Sequence, residues 1–266
     1  MWMKRTPIPA GRAEGYHGSG ALGRLTDERD MRVDGSADES YVQRHSMTRS
    51  WKQIVGIPLN VVLFLLLMVM GWGSWGGFFA HPVRVGVVVV HLLMMPVMTL
   101  CTSGRSRGVK SVPDWKPFFP LLMLHSLFTA WVMPFMDARD LWVMPGGDAL
   151  RWTGLLFLVC GATLRVWPML ELGDRFAAVV ALQERHELKT TGLYRTVRHP
   201  SYVGILLMDL GFALVFRSAL GLLLMPVPIW MFQRRMDVEE AFLIREFGEK
   251  YREYMKRTSR LLPGVY

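Results

Sequence analysis

The chain has 266 residues, 51% of them hydrophobic, and a formal net charge of +9. Its apolar residues are gathered into long runs, which excludes an ordinary soluble globule. Its basic residues are dispersed around those runs, which argues against a nucleic-acid-binding patch. Cys101 and Cys160 lie inside apolar runs, so neither a disulfide framework nor a thiolate metal site is expected.

In chain order, residues 1–50 are rich in Gly, Arg and Asp and carry charges of both signs. Such a segment buries too little apolar surface to offset its ordering entropy, so a disordered cytosolic tail is expected, with 51–266 as one membrane domain. The first residues lack the apolar core of a secretory signal, and the run at 54–72 therefore reads as a retained span. Further runs occupy 82–102, 117–136 and 150–170. Each approaches the roughly 20 residues needed to cross about 30 Å of hydrocarbon. A fifth run, 202–232, is interrupted near Arg217 and Ser218 and holds Pro226 and Pro228 in its second half. Arg217 would be costly at the centre of one lipid-facing helix, so the run predicts a tight hairpin of two short helices. The predicted fold class is an all-α integral membrane protein: four transmembrane helices, a re-entering helical hairpin and a C-terminal cytosolic amphipathic helix.

The loops give an orientation. Residues 73–81 contain no Lys or Arg, whereas 103–116 hold Arg105, Arg107, Lys110 and Lys116. Residues 137–148 carry three aspartates against Arg139, and 171–201 are again basic, with Arg175, Arg185, Lys189, Arg195 and Arg198. This alternation places both termini and the loop around His199 in the cytosol. Four ionisable residues fall at apparent membrane depth: His91, His125, Arg165 and Asp209. An Arg165–Asp209 or Asp209–Arg217 ion pair is the expected arrangement. The two histidines are too isolated in sequence to form a metal site, and no metal is expected.

Two segments carry candidate chemistry. In Thr190-Thr-Gly-Leu-Tyr-Arg-Thr-Val-Arg-His-Pro-Ser-Tyr-Val-Gly204, Pro200 suits the first turn of a helix and pushes His199 out of helical conformation. A helix starting at Pro200 presents free N–H groups beside Arg195, Arg198 and His199, an anion site in outline. It fits the carboxylate of a methionine-like cofactor, a phosphate or a substrate carboxylate; equally, the arginines could reach lipid headgroups while His199 caps the helix. In the second segment, 234–254, helical spacing sets Met236, Leu243, Phe247, Tyr251 and Tyr254 in one apolar stripe. Glu240 falls inside that stripe and should point inward, where a cationic sulfonium, a cofactor amino group, ribose hydroxyls or a loop arginine would satisfy it. Glu239 lies at the edge and can pair with Arg235 one turn back.

At these segments the sequence resembles the isoprenylcysteine carboxyl methyltransferase family and its bacterial relatives. The resemblance lies in Gly192-Leu-Tyr-Arg, Arg198-His-Pro-Ser-Tyr-Val-Gly204, the Glu239-Glu240 pair before Leu243, Phe247-Gly248, Tyr251 and Tyr254, and Arg260-Leu-Leu-Pro263. It covers roughly 150–263, the expected catalytic part. It implies a helical methyltransferase, in a bacterial inner membrane, that takes S-adenosyl-L-methionine from the cytosol and a lipid-soluble or membrane-associated acceptor from the bilayer. Tyr194, Arg198, His199, Pro200 and Tyr202 would line the cofactor pocket; Arg235, Glu239 and Glu240 would bound the reacting end. An isoprenylcysteine-like carboxylate is the favoured acceptor, with phospholipid and small-thiol methyl transfer as alternatives. A nicotinamide-dependent sterol-type reductase and a non-catalytic membrane scaffold are the competing classes. The chain has no convincing GxGxxG loop, so a soluble-type nucleotide fold is not expected.

Overall fold

The computed structural model describes residues 56, 58–103, 110–111, 117–172, 181–182 and 188–264; the predicted tail at 1–50 lies outside them. Among the described residues the regular elements are helices, apart from a two-residue antiparallel pair, Lys110–Ser111 with Ala181–Leu182, and two isolated bridges, Val143 with Ser218 and Val197 with Ser259. The helices are α1 (Pro58–Trp72), α2 (Trp75–Phe79), α3 (Pro82–Ser103), α4 (Phe118–Asp137), α5 (Gly147–Leu172), α6 (Pro200–Val215), α7 (Ala219–Leu224), α8 (Pro226–Phe247) and α9 (Glu249–Arg257). Three of them, α3, α4 and α5, are long and apolar enough to cross a membrane, which identifies an integral membrane protein. The outward faces agree: Leu93, Leu124, Leu156 and Leu223 are each about two-thirds exposed, as lipid-facing side chains are. The run expected as a first span appears as the shorter apolar helix α1, and its predicted start at 54–55 lies outside the described residues.

Local chemistry sets the helix ends. Ser74 caps α2 by accepting from the Gly77 N–H at 3.2 Å. Arg84 of α3 donates to the α2 carbonyls of Phe78 and Gly77 at 2.7 and 2.8 Å, and its guanidinium lies 3.9 Å over the Trp72 ring. His91 has a structural place, bonded to the Val87 carbonyl at 2.8 Å and stacked on Phe64.

The central pair is α5 against α6, antiparallel and joined through glycines. Gly154 faces Gly211 and Gly161 faces Gly204, two pairs spaced seven residues apart on each helix. A Cβ on Gly204 would stand 2.5 Å from the Arg165 backbone nitrogen and 2.7 Å from the Gly161 carbonyl, so the helices approach closer than any side chain permits. Gly204→Leu is expected to push α6 off α5 and lower stability by about 1–3 kcal/mol or more, read as a depressed thermal transition in detergent.

The break expected near Arg217 and Ser218 is present: α6 ends at Val215, Arg217 adopts φ +45°, and Ser218 caps α7 through the Gly221 N–H. At 16 residues, α6 is about 24 Å long, short of a full crossing. The second arm departs from expectation. Instead of a short helix followed by a separate C-terminal one, α8 runs unbroken over 22 residues from Pro226 into the Glu239-Glu240 segment. The chain then breaks at Gly248, with φ +56°, so that Tyr251 and Tyr254 sit on α9.

The expected intramembrane ion pairs do not form. Arg165 donates to Ser201 Oγ at 2.6 Å, and Arg217 reaches Asp137 and Asp140 at 3.0 and 2.9 Å. Asp137 also takes both terminal nitrogens of Arg151, at 2.6 and 2.9 Å. This buried network ties the ends of α4 and α5 to the α6–α7 turn. Asp209 faces His125 of α4 instead, at 3.9 Å.

Candidate active site

Pro200 opens α6 at its first turn, as its missing N–H predicts, and His199 precedes it outside helical conformation with no capping bond from its side chain. The loop before it is fastened to the chain end. Val197 pairs with Ser259 in a parallel bridge, the Arg198 N–H donates to the Ser259 carbonyl at 2.9 Å, and the His199 N–H to the Arg260 carbonyl at 3.1 Å. The Tyr254 hydroxyl adds a bond of 2.6 Å to the Tyr194 carbonyl, and burial pushes that phenol up to about 12, so it remains a donor at neutral pH. Residues about 60 apart in sequence thereby form one wall.

Glu240 projects from α8 onto this wall and is 2% exposed. Arg198 Nε donates to its Oε1 at 2.8 Å, His199 Nε2 lies 3.2 Å from the same oxygen, and Arg260 Nε and Nη2 donate to Oε2 at 2.9 and 2.6 Å. A carboxylate only accepts, so His199 must carry its hydrogen on Nε2. Arg198 is fixed further by the Met255 and Thr258 carbonyls. The inward direction read from helical phase is correct, and the partner is the loop arginine. Among the described residues Arg195 takes no part in this cluster, whereas Arg198 and His199 turn to Glu240 rather than stand free at the α6 start.

Burial by itself would raise the Glu240 carboxyl, but the bonds from His199, Arg260 and Arg198 overcome it and hold the group at about 2 against an ordinary value of 4.5. A depressed carboxyl contributes stability that is fully present above the unfolded value and lost as pH falls through the folded one. The contribution of Glu240 should therefore be constant above about 4.5 and be lost between there and about 2. Tryptophan fluorescence or amide exchange of α9 across that interval checks this.

Glu239 is also buried, more deeply than its expected place at the stripe edge. Arg235 Nε donates to its Oε1 at 2.7 Å, as the four-residue spacing predicts, and the Tyr202 hydroxyl donates to the same oxygen at 2.6 Å. Glu239 Oε2 lies 3.7 Å from His199 Nδ1, and the His199 and Tyr202 rings stack at 5.5 Å. Aromatic residues close the other side, with Tyr202 against Phe232, and the Arg235 guanidinium 5.1 Å from the Phe118 ring. Thus Arg198, His199, Tyr202, Arg235, Glu239 and Glu240 converge. Pro200 sets the helix start, and Tyr194 contributes to the adjoining wall.

Sequence reasoning missed two participants. Arg260 spans Glu240 and Asp237, and its only prior signal was the Arg260-Leu-Leu-Pro263 stretch. Glu171, at the end of α5, lies so close to Gly192 that a Cβ there would overlap its Oε1; Lys189 approaches that oxygen at 3.5 Å, while Oε2 is buried with no hydrogen-bond partner among the described residues. Gly192 holds φ +62°. Gly192→Ala should therefore strain the turn and collide with Glu171, costing about 1–3 kcal/mol in thermal unfolding.

Among the described residues, no group of three or more His, Cys, Asp or Glu could hold a metal ion. Glu239 and Glu240 are paired with Arg235, Arg198 and Arg260, and the atom left for a ligand's donor is Glu171 Oε2, buried beside the Gly192 cradle with no hydrogen-bond partner among the described residues.

A family model for the isoprenylcysteine carboxyl methyltransferase (ICMT) family matches residues 153–245, which include α6 and the Glu239-Glu240 segment. Protein-S-isoprenylcysteine O-methyltransferase B of Arabidopsis thaliana is 31% identical over 174 residues, 64% of this chain and 85% of that protein. The chain belongs to the isoprenylcysteine carboxyl methyltransferase family. The Schizosaccharomyces pombe protein-S-isoprenylcysteine O-methyltransferase is 36% identical over 116 residues, 42% of this chain and 49% of that relative, so the match spans about half its length. A solved structure of the eukaryotic intramembrane Ras methyltransferase ICMT has a TM-score of 0.42 and 19% sequence identity, covering 83% of this chain and 98% of that one. Within the family match lie every residue of the α6 start and of the α8 carboxylate pair, whereas Arg260 lies beyond it.

Proposed function

We propose that this protein transfers the methyl group of S-adenosyl-L-methionine to a membrane-associated acceptor, an isoprenylcysteine-like carboxylate. The observation that carries the reading is the joining of the Arg198-His199-Pro200 loop to the Glu239-Glu240 pair in one buried cluster. Family membership favours methyl transfer over the reductase and scaffold readings. The loop charges support an orientation with both termini and this cluster on the cytosolic face, four crossings and a re-entering α6–α8 hairpin.

When bound, the cofactor supplies an electrophilic methyl group on a sulfonium, and the protein contributes alignment, exclusion of water and electrostatics. Arg198, His199 and Arg260 keep Glu240 ionised, and their bonds to it fix the α6 start and the segment after α9 against α8, which pre-aligns the cofactor side with the reacting end. Tyr194, Arg198, His199, Pro200 and Tyr202 form the cofactor side; Arg235, Glu239 and Glu240 bound the reacting end. Glu171 Oε2 is the acceptor for a hydroxyl or amino group of the same ligand. A carboxylate acceptor needs no strong general base, in keeping with a site in which each carboxylate is already held by cations.

The test is radiolabelled methyl transfer by detergent-purified protein into S-prenylcysteine analogues, phospholipids and small thiols. Transfer to the prenylcysteine carboxylate is the expected result. Transfer to lipid or thiol alone would move the acceptor class, and no transfer to any of the three would reject the reading.

A further inference from the structure

Glu171 is an acid in the last turn of α5, a turn that holds no basic residue. A helix C-terminus disfavours negative charge, so the position itself works against a carboxylate. The Gly192 backbone, at φ +62°, presses on Oε1 so closely that no side chain fits at 192. Oε2 is buried and takes no hydrogen bond among the described residues. A buried acceptor without a donor is destabilising, and nothing in the packing of α5 explains its presence.

The neighbours define what is missing. Lys189 Nζ stands 3.5 Å from Oε1, so the opposing charge is already supplied and Oε2 lacks only a donor. An ammonium on Oε2 would stand roughly 6 Å from Lys189 and be repelled by it, whereas a hydroxyl donates without adding charge. A vicinal diol suits the carboxylate further, because Oε1, approached only by Lys189, keeps acceptor capacity for a second hydroxyl. The Tyr194 phenol ties this corner to the active site. Burial first and Glu171 next push its pKa up, and Glu239 acts in the same sense against Arg165, so the phenol lies in the field of both carboxylates.

We infer that Glu171 receives the ribose hydroxyls of the cofactor's adenosyl group and so selects ribonucleoside over deoxyribonucleoside forms. The inference rests on the methyl-transfer reading for the ligand's identity, and deepens it by choosing the sugar over the amino group of the methionine end. The only hydroxyls of S-adenosyl-L-methionine are the neighbouring pair on its ribose, and acidic side chains read nucleotide riboses in the same way in other folds. The adenine amine is also a neutral donor, but a single nitrogen serves one carboxylate oxygen less fully than a diol serves two. Gly192, with no Cβ, is what lets the loop before α6 close over Glu171 at this point.

Calorimetric binding of S-adenosylhomocysteine, the demethylated cofactor, to the detergent-purified full chain gives a readout independent of methyl transfer. At least one of its 2′-deoxy and 3′-deoxy forms should bind wild type on the order of tenfold more weakly, and the difference should fall to about twofold or less in Glu171→Ala. Glu171→Gln, which keeps the shape and one acceptor oxygen, should lie between, and serves if the Ala variant does not fold. Two further analogues report the rival donors, one lacking the amino group of the amino-acid end and one with inosine in place of adenosine. Each should lose the same factor in wild type and in the variants. Deoxy forms that bind wild type as tightly as the parent, an undiminished difference in the variants, or a Glu171-dependent loss confined to either rival analogue would overturn the inference. No binding of the parent compound to folded wild type would overturn the methyl-transfer reading, and the inference with it.

Discussion

Glu240→Gln is expected to lower methyl-transfer kcat/KM by two orders of magnitude or more while the protein still extracts and purifies as a folded species. Three cationic or donor groups from separate parts of the chain converge on this one carboxylate: Arg198 and His199 from the loop, and Arg260 from beyond α9. Removing its charge leaves them buried and uncompensated. Truncating one partner of a buried hydrogen-bonded charge pair typically costs about 2–5 kcal/mol, or roughly 30-fold to several thousandfold. The control is Glu249→Gln, whose partner Arg252 is an exposed neighbour on α9 at 3.4 Å; a change of less than about threefold is expected there. Steady-state kinetics on both variants separates a site effect from general loss of charge. Equal behaviour of the two would remove Glu240 from the reacting centre.

The second large effect is on stability. Asp137→Ala should cost about 3–5 kcal/mol, because its side chain is fully buried and neutralises both Arg151 and Arg217. Arg151 also donates to the Val215 carbonyl at 2.8 Å, so the network fastens the end of α6 as well as its turn. Asp148→Ala is the matched control: its carboxylate is 73% exposed and 3.8 Å from Arg151, and its loss should be nearly neutral. Thermal unfolding in one detergent, with both variants beside wild type, gives the comparison.

The sequence predicts much of this through short-range rules. Pro200 as a helix start follows from its missing N–H, and the inward Glu240 follows from the 3.6-residue period alone. Arg217 marks the hairpin break because a charge there disfavours a continuous lipid-facing helix. The partner of Arg217 was not legible in the same way. Asp209 is the nearer acid in sequence, but Asp137 is the nearer in space, delivered by the end of α4. Glu239 was placed at an edge because a single stripe assumes packing on one side. In fact α8 meets both the α6 start and the chain end, so its buried arc also takes in Arg235 and Glu239. Arg260 follows α9 with no periodicity to phase it, and only the bridge of Ser259 to Val197 brings it to Glu240. Glu171 gave no signal because its significance depends on the approach of Gly192.

The most direct test is calorimetric binding of S-adenosyl-L-methionine to the detergent-purified chain, with His199→Ala and Glu240→Gln measured alongside. Saturable binding by wild type, weakened at least tenfold in both variants, is the predicted result. Absence of binding to folded wild type would contradict the proposed function, and undiminished binding in both variants would contradict the site.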